Sequence, residues 1–166
     1  MFIIDDAISM ETHSAAVKRI LSILAYLVKD SDPDGTELYF TGSMARVKSN
    51  KSSVLVDAFV RNRPEGFTDI RTRLTKIINK YIEALSNTHR ARIMRAFKAP
   101  RSLNIYVLTD GIWQPGSDLS ALIRRLVEAI KSNCQCQVGI QFISFGDNLE
   151  ALKRLNCLDN DLGVGQ

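Results

Sequence analysis

The chain has 166 residues, 45% of them hydrophobic, enough for a sizeable core, and this size predicts a single domain over residues 1–166. A net charge of +4, from 22 basic and 18 acidic residues, is too mild to mark a nucleic-acid binder by composition. Cys134, Cys136 and Cys157, with only His13 and His89 to join them, make neither a disulfide framework nor a zinc site and predict reduced thiols in an intracellular, cytoplasmic protein.

No apolar run approaches the ~18 residues of a membrane span, and Phe2-Ile3-Ile4 runs straight into acid with no basic leader. That first run stops at Asp5-Asp6, which predicts a buried strand delivering carboxylates to the carboxyl edge of an α/β sheet. Val17, Ile20, Leu21, Leu24, Leu27 and Val28 form the stripe of an amphipathic helix over 14–29, with a Thr12 or Ser14 hydroxyl as its cap. Ser31-Asp32-Pro33-Asp34-Gly35 is a turn by composition, and Glu37 to Thr41 a second strand. Gly42 to Ser53 is polar and basic and reads as a loop. Val54 to Val60 fits a short strand or two turns of helix.

After the Pro/Gly connection at Arg63 to Phe67, Ile70, Leu74, Ile77, Ile78, Tyr81, Ile82 and Leu85 mark a helix that places Thr68 at its N-terminus. Residues 86–101 are basic; Arg90, Arg92, Arg95, Lys98 and Arg101, with Arg46, Lys48 and Lys51 elsewhere, could meet phosphates or an acidic protein surface, but read as a solvated face because no aromatic interleaving accompanies them. Leu103 to Leu108 is a strand, Leu119 to Ile130 a helix, Gln137 to Phe145 a strand, and Leu149, Leu152 and Leu155 begin a last helix. The alternation predicts a three-layer α/β/α fold of Rossmann-like type, a mostly parallel central sheet with helices on both faces.

Three separated pieces bring hydroxyls and carboxylates to strand and helix ends: Asp5-Asp6-Ala7-Ile8-Ser9-Met10, Gly66-Phe67-Thr68 and Leu108-Thr109-Asp110-Gly111. Their order and spacing resemble the metal-ion-dependent adhesion site of von Willebrand factor A (vWA) domains, whose first piece reads Asp-x-Ser-x-Ser. The flanks Arg63-Pro64-Glu65-Gly66, Leu103-Asn104-Ile105 and Val138-Gly139-Ile140-Gln141-Phe142 are most similar to the vWA domains of fungal proteins. The resemblance implies the vWA form of the fold, the α-helical choice for Ser53 to Asn62, and a chain shortened at both ends relative to the family.

By the same resemblance Asp5, Ser9, Thr68 and Asp110 would hold Mg²⁺ or Mn²⁺, and an open position would take a carboxylate from a protein partner; Asp6 is expected on the rim of that contact, and Trp113, just after Asp110, either joins it there or covers the sheet edge. A hard cation suits such oxygen donors, needing only a few from the protein because it keeps several waters. Ala7 stands where the motif has its first Ser, which removes one ligating oxygen and leaves a weakened or lost site. This reading is of a binding module, not an enzyme, and no nucleophile–base pair or Gly-rich phosphate loop speaks for catalysis. A receiver-like phosphotransfer domain is the alternative, with Asp5 and Asp6 as its metal-binding acids, Asp57 as phosphoacceptor and Thr109 as the hydroxyl switch; it needs Asp57 at a strand end.

Overall fold

The computed structural model describes residues 1–30, 33–64, 66, 69–92, 101–114, 116–131 and 137–160, with side chains for all of these but 88–92 and 159–160. Five strands and five α-helices follow in the order β1 (Phe2–Ile4), α1 (Ser14–Val28), β2 (Thr36–Phe40), β3 (Arg46–Ser49), α2 (Ser52–Arg61), α3 (Ile70–Arg92), β4 (Leu103–Thr109), α4 (Ser120–Lys131), β5 (Val138–Ser144) and α5 (Leu149–Asn160). A 3₁₀ helix, Ile8–His13, leads into α1. The strands form one sheet in the order β3-β2-β1-β4-β5, parallel except for β3.

Strand β1 is short and wholly buried, as a central parallel strand must be when both its faces are covered. Its alternation assigns the two cores. Ile3 joins Ile105 and Val107 of β4 under Ile70, Leu74 and Ile78 of α3, Leu122 and Leu126 of α4, and Leu155 and Leu158 of α5. Phe2 and Ile4 join Leu38, Phe40 and Leu108 under Val17, Leu21 and Ala25 of α1 and Leu55 and Ala58 of α2. These are the three layers predicted from the alternation of strand and helix patterns.

Several boundaries differ from the sequence expectations. Arg46–Ser49, read as loop, is an antiparallel edge strand with Tyr39 opposite Arg46 and Glu37 opposite Lys48; its charged residues, which hid it, suit an edge that must not recruit another chain. Neither Thr12 nor Ser14 caps α1, because the 3₁₀ helix runs directly into it and Thr12 Oγ1 bonds Ser9 O at 3.3 Å instead. Leu27 is 67% exposed, and Ala25 takes the inner position of that stripe. In α5 the buried residues are Ala151, Leu155 and Leu158, while Leu149 faces solvent. Helix α3 runs past the last apolar residue of its stripe, Leu85, to Arg92, a stretch with no glycine or proline to stop it. Cys134, Cys136, Arg95 and Lys98 lie outside the described residues, as do the side chains of His89, Arg90 and Arg92.

At the β2–β3 edge Tyr39 donates its hydroxyl to Glu37 Oε2 at 2.7 Å, and Arg46 bonds Glu37 Oε1. Burial pushes the Glu37 carboxyl up, but the Tyr39 hydroxyl and Arg46 outweigh it and hold the group below its ordinary 4.5. Burial first, and the Glu37 carboxylate second, push the Tyr39 hydroxyl up to about 12. The stabilisation from Glu37 is therefore present above its unfolded value and is lost as pH falls through the lower folded one. That from neutral Tyr39 is complete below pH 10 and is lost as pH rises toward about 12. An ultraviolet titration should show one tyrosine ionising near pH 12, and Glu37→Gln should lower that value without restoring the ordinary one, because burial remains.

Candidate functional site

The register of the three central strands builds the site. Ile4 pairs with Phe40 on one side and Leu108 on the other, so the next residues, Thr41, Asp5 and Thr109, fall in one row across the carboxyl ends of β2, β1 and β4. The backbone confirms the row: Asp5 N donates to Leu108 O at 2.9 Å and Thr41 N to Ile4 O at 3.0 Å. Between β1 and β4 the chain changes direction across the sheet, the place where open α/β folds bind ligands.

Asp5 is buried and spends both oxygens in this row. Oδ2 accepts the Thr109 hydroxyl at 2.6 Å, and Oδ1 accepts Ala7 N and faces Thr41 Oγ1, both at 3.2 Å. Thr109 Oγ1 in turn accepts Gly111 N and Trp113 Nε1, both at 2.9 Å, so its one proton is committed to Asp5. The sequence expectation put Asp6 on the rim, but it is 4% exposed. Its Oδ1 accepts Gly42 N at 2.6 Å and lies 3.0 Å from Thr41 Oγ1; its Oδ2 accepts Ser43 N and Asn62 Nδ2, both at 3.0 Å. Asp6 is thus the clasp between β1, the β2–β3 turn and the end of α2.

Asp110 differs from both. It is 3% exposed, Oδ1 accepts Ile112 N at 2.9 Å, and Oδ2 is buried with no hydrogen-bond partner among the described residues. An orphaned carboxylate oxygen in a native interior is costly, and such atoms are few. Immediately after it Gly111 has φ +73, and a Cβ there would come within 3.0 Å of Ala151 Cβ, so α5 packs against the exit of β4 where only glycine fits. Trp113, also expected on the rim, is 6% exposed; its ring lies 6.0 Å from Phe142 and belongs to the core. What reaches outward beside it is Arg154, which donates to Gly111 O at 2.7 Å and sits 5.8 Å over the indole ring.

Ser9 lies in the 3₁₀ helix, half-buried. Thr68 lies outside the described residues, but its loop is tied to the first piece by the 3.1 Å bond from Ile8 N to Gly66 O. Asp5 and the Thr109-Asp110 piece therefore meet, and the Gly66 loop reaches the Asp5 to Ser9 segment. Among the described residues no three His, Cys, Asp or Glu side chains are grouped as a metal site. Asp57, which the receiver alternative needs at a strand end, lies exposed inside α2, so the α-helical choice for this segment removes that alternative's phosphoacceptor.

Thr41 and Asn62 join the site beyond the residues that the sequence singles out, although Thr41 is legible as the hydroxyl that ends the second strand. Asn62 carries no such local signal, since only the return of α2 brings it to Asp6. Among the described residues no helix is long and apolar enough to cross a membrane. No protein-family model matches the chain, and no curated protein matches it.

Proposed function

We propose that the chain is a protein-interaction module of vWA type, which engages a partner's carboxylate at the carboxyl edge of its sheet through a reduced Mg²⁺ site. The observation that carries this reading is the buried Oδ2 of Asp110, a carboxyl oxygen for which the described surroundings supply no hydrogen-bond partner. The donor set fits a hard cation: Asp110 supplies the open oxygen, Ser9 and Thr68 would add hydroxyls, and Asp5, already engaged by Thr109, would act through water. Ala7 contributes only a buried methyl, so more of the coordination falls to water and to the partner. A bound cation here would supply a positive charge for the partner's carboxylate, and the role of the chain's own residues is to position it without catalysis.

Asp110→Asn separates this reading from a structural one. Without metal, the variant should be more stable than the parent by about 1 kcal/mol, since it replaces a half-satisfied buried carboxylate by a neutral amide. With Mg²⁺ at about ten times a millimolar Kd, the parent should gain about 1.4 kcal/mol and the variant nothing. Thermal denaturation with Mg²⁺, Mn²⁺ or EDTA reads both effects. Equal responses of the two proteins to metal, or a variant less stable than the parent in EDTA, would overturn the proposal.

A further inference from the structure

A concave surface lies along α3 beside β2 and the start of β4. Its walls are apolar, from Met1, Tyr39, Ile77, Tyr81, Ala84 and Leu103, and they enclose about 330 Å³, within the range of cavities that hold small ligands or a single large side chain. Its rim is cationic. Arg73, Lys76 and Lys80 follow at the spacing of one helix face, and Arg46 and Lys48 stand opposite Tyr39 and Glu37 on the neighbouring strands. Among the described residues lining the pocket the only carboxylate is Glu37, already held by Tyr39 and Arg46, and Lys76 and Lys80 make no ion pair with described residues.

We propose that this pocket receives a bulky apolar side chain from an acidic segment of a partner protein, whose flanking carboxylates are held by Arg73, Lys76 and Lys80. Charge complementarity selects an anionic partner, and the walls select a peptide over a nucleic acid. The Tyr39 ring has guanidinium carbons at 5.5 and 6.0 Å from its centroid, from Arg46 and Arg73, and its hydroxyl is spent on Glu37. The Tyr81 hydroxyl is spent on Arg101 O at 2.9 Å. The Tyr39 ring is thus not an open stacking platform, and a base seated in the pocket would find donors only at the rim, with Ile77 and Leu103 against the rest of its polar edge. An apolar side chain has no such cost.

The test is fluorescence anisotropy in EDTA, which keeps this surface separate from any metal-dependent one. The probe is a fluorescein-labelled peptide Asp-Glu-Asp-Trp-Glu-Asp-Glu, with its Trp→Ser form and labelled oligothymidylate as comparisons. The parent chain should bind the Trp peptide, and more weakly as salt rises. The Lys76→Glu/Lys80→Glu double variant and the pocket-filling Ala84→Phe should each weaken it about tenfold or more. All three substitutions lie at exposed positions of α3, so circular dichroism of each variant should match that of the parent. The proposal fails if the parent does not bind the peptide, if the Trp→Ser form binds as well, if either variant binds like the parent, or if oligothymidylate binds more tightly.

Discussion

Asp5→Ala is expected to cost roughly 3–5 kcal/mol of unfolding free energy, the larger part of the margin of many small domains. The carboxylate is buried at the centre of the row and accepts the Thr109 hydroxyl, Ala7 N and, at 3.2 Å, the Thr41 hydroxyl. Alanine leaves the Thr109 proton with nowhere to go, because Thr109 Oγ1 already accepts two donors and is itself fully buried. Asp5→Asn keeps one acceptor oxygen and should cost less, about 2 kcal/mol. Urea denaturation measures both. A loss below about 1 kcal/mol for the alanine variant would show that the row does not hold the strand ends together.

Asp6→Ala is expected to cost about 2–4 kcal/mol, with a different signature. Its carboxylate closes the β2–β3 turn through Gly42 N and Ser43 N and ties in α2 through Asn62. Hydrogen exchange at the Gly42 and Ser43 amides should therefore accelerate beyond what the global loss explains, while amides of β4 and β5 follow the global loss alone. Asn62→Ala removes one of these bonds and should cost about 1 kcal/mol. If Gly42 and Ser43 exchange no faster than the rest of the chain, Asp6 is not the clasp.

The contrast among the three carboxylates shows where the sequence is readable. Phe2-Ile3-Ile4 announces a central strand because every residue is apolar and buried, Leu103 to Leu108 does so through Ile105, Val107 and Leu108, and acids following such strands must lie at one edge. What each acid does there is not local information. Asp5 and Asp6 are adjacent, yet one points into a row set by strand register and the other into a turn and a helix end that only tertiary packing brings near. Trp113 has the look of a rim aromatic by its place after Asp110, but the positive φ of Gly111 turns the chain back and the indole enters the core. Strand β3 was invisible because an edge strand with solvent on one side needs no apolar run. The Val54 to Val60 segment was ambiguous for the opposite reason: its apolar residues serve equally well either way, and packing of Leu55 and Ala58 beneath the sheet decides it.

The two margins of the sheet are treated unequally. β3 presents Arg46 and Lys48, whereas the seven residues of β5, Val-Gly-Ile-Gln-Phe-Ile-Ser, carry no charge and no proline, and among the described residues they pair with β4 alone. Charge on one border repels stray strands, and its lack on the other leaves main-chain donors and acceptors ready to template them. When this protein is concentrated or warmed, clumping should therefore start from the β5 border, and a single lysine placed at Gln141 should raise the solubility limit.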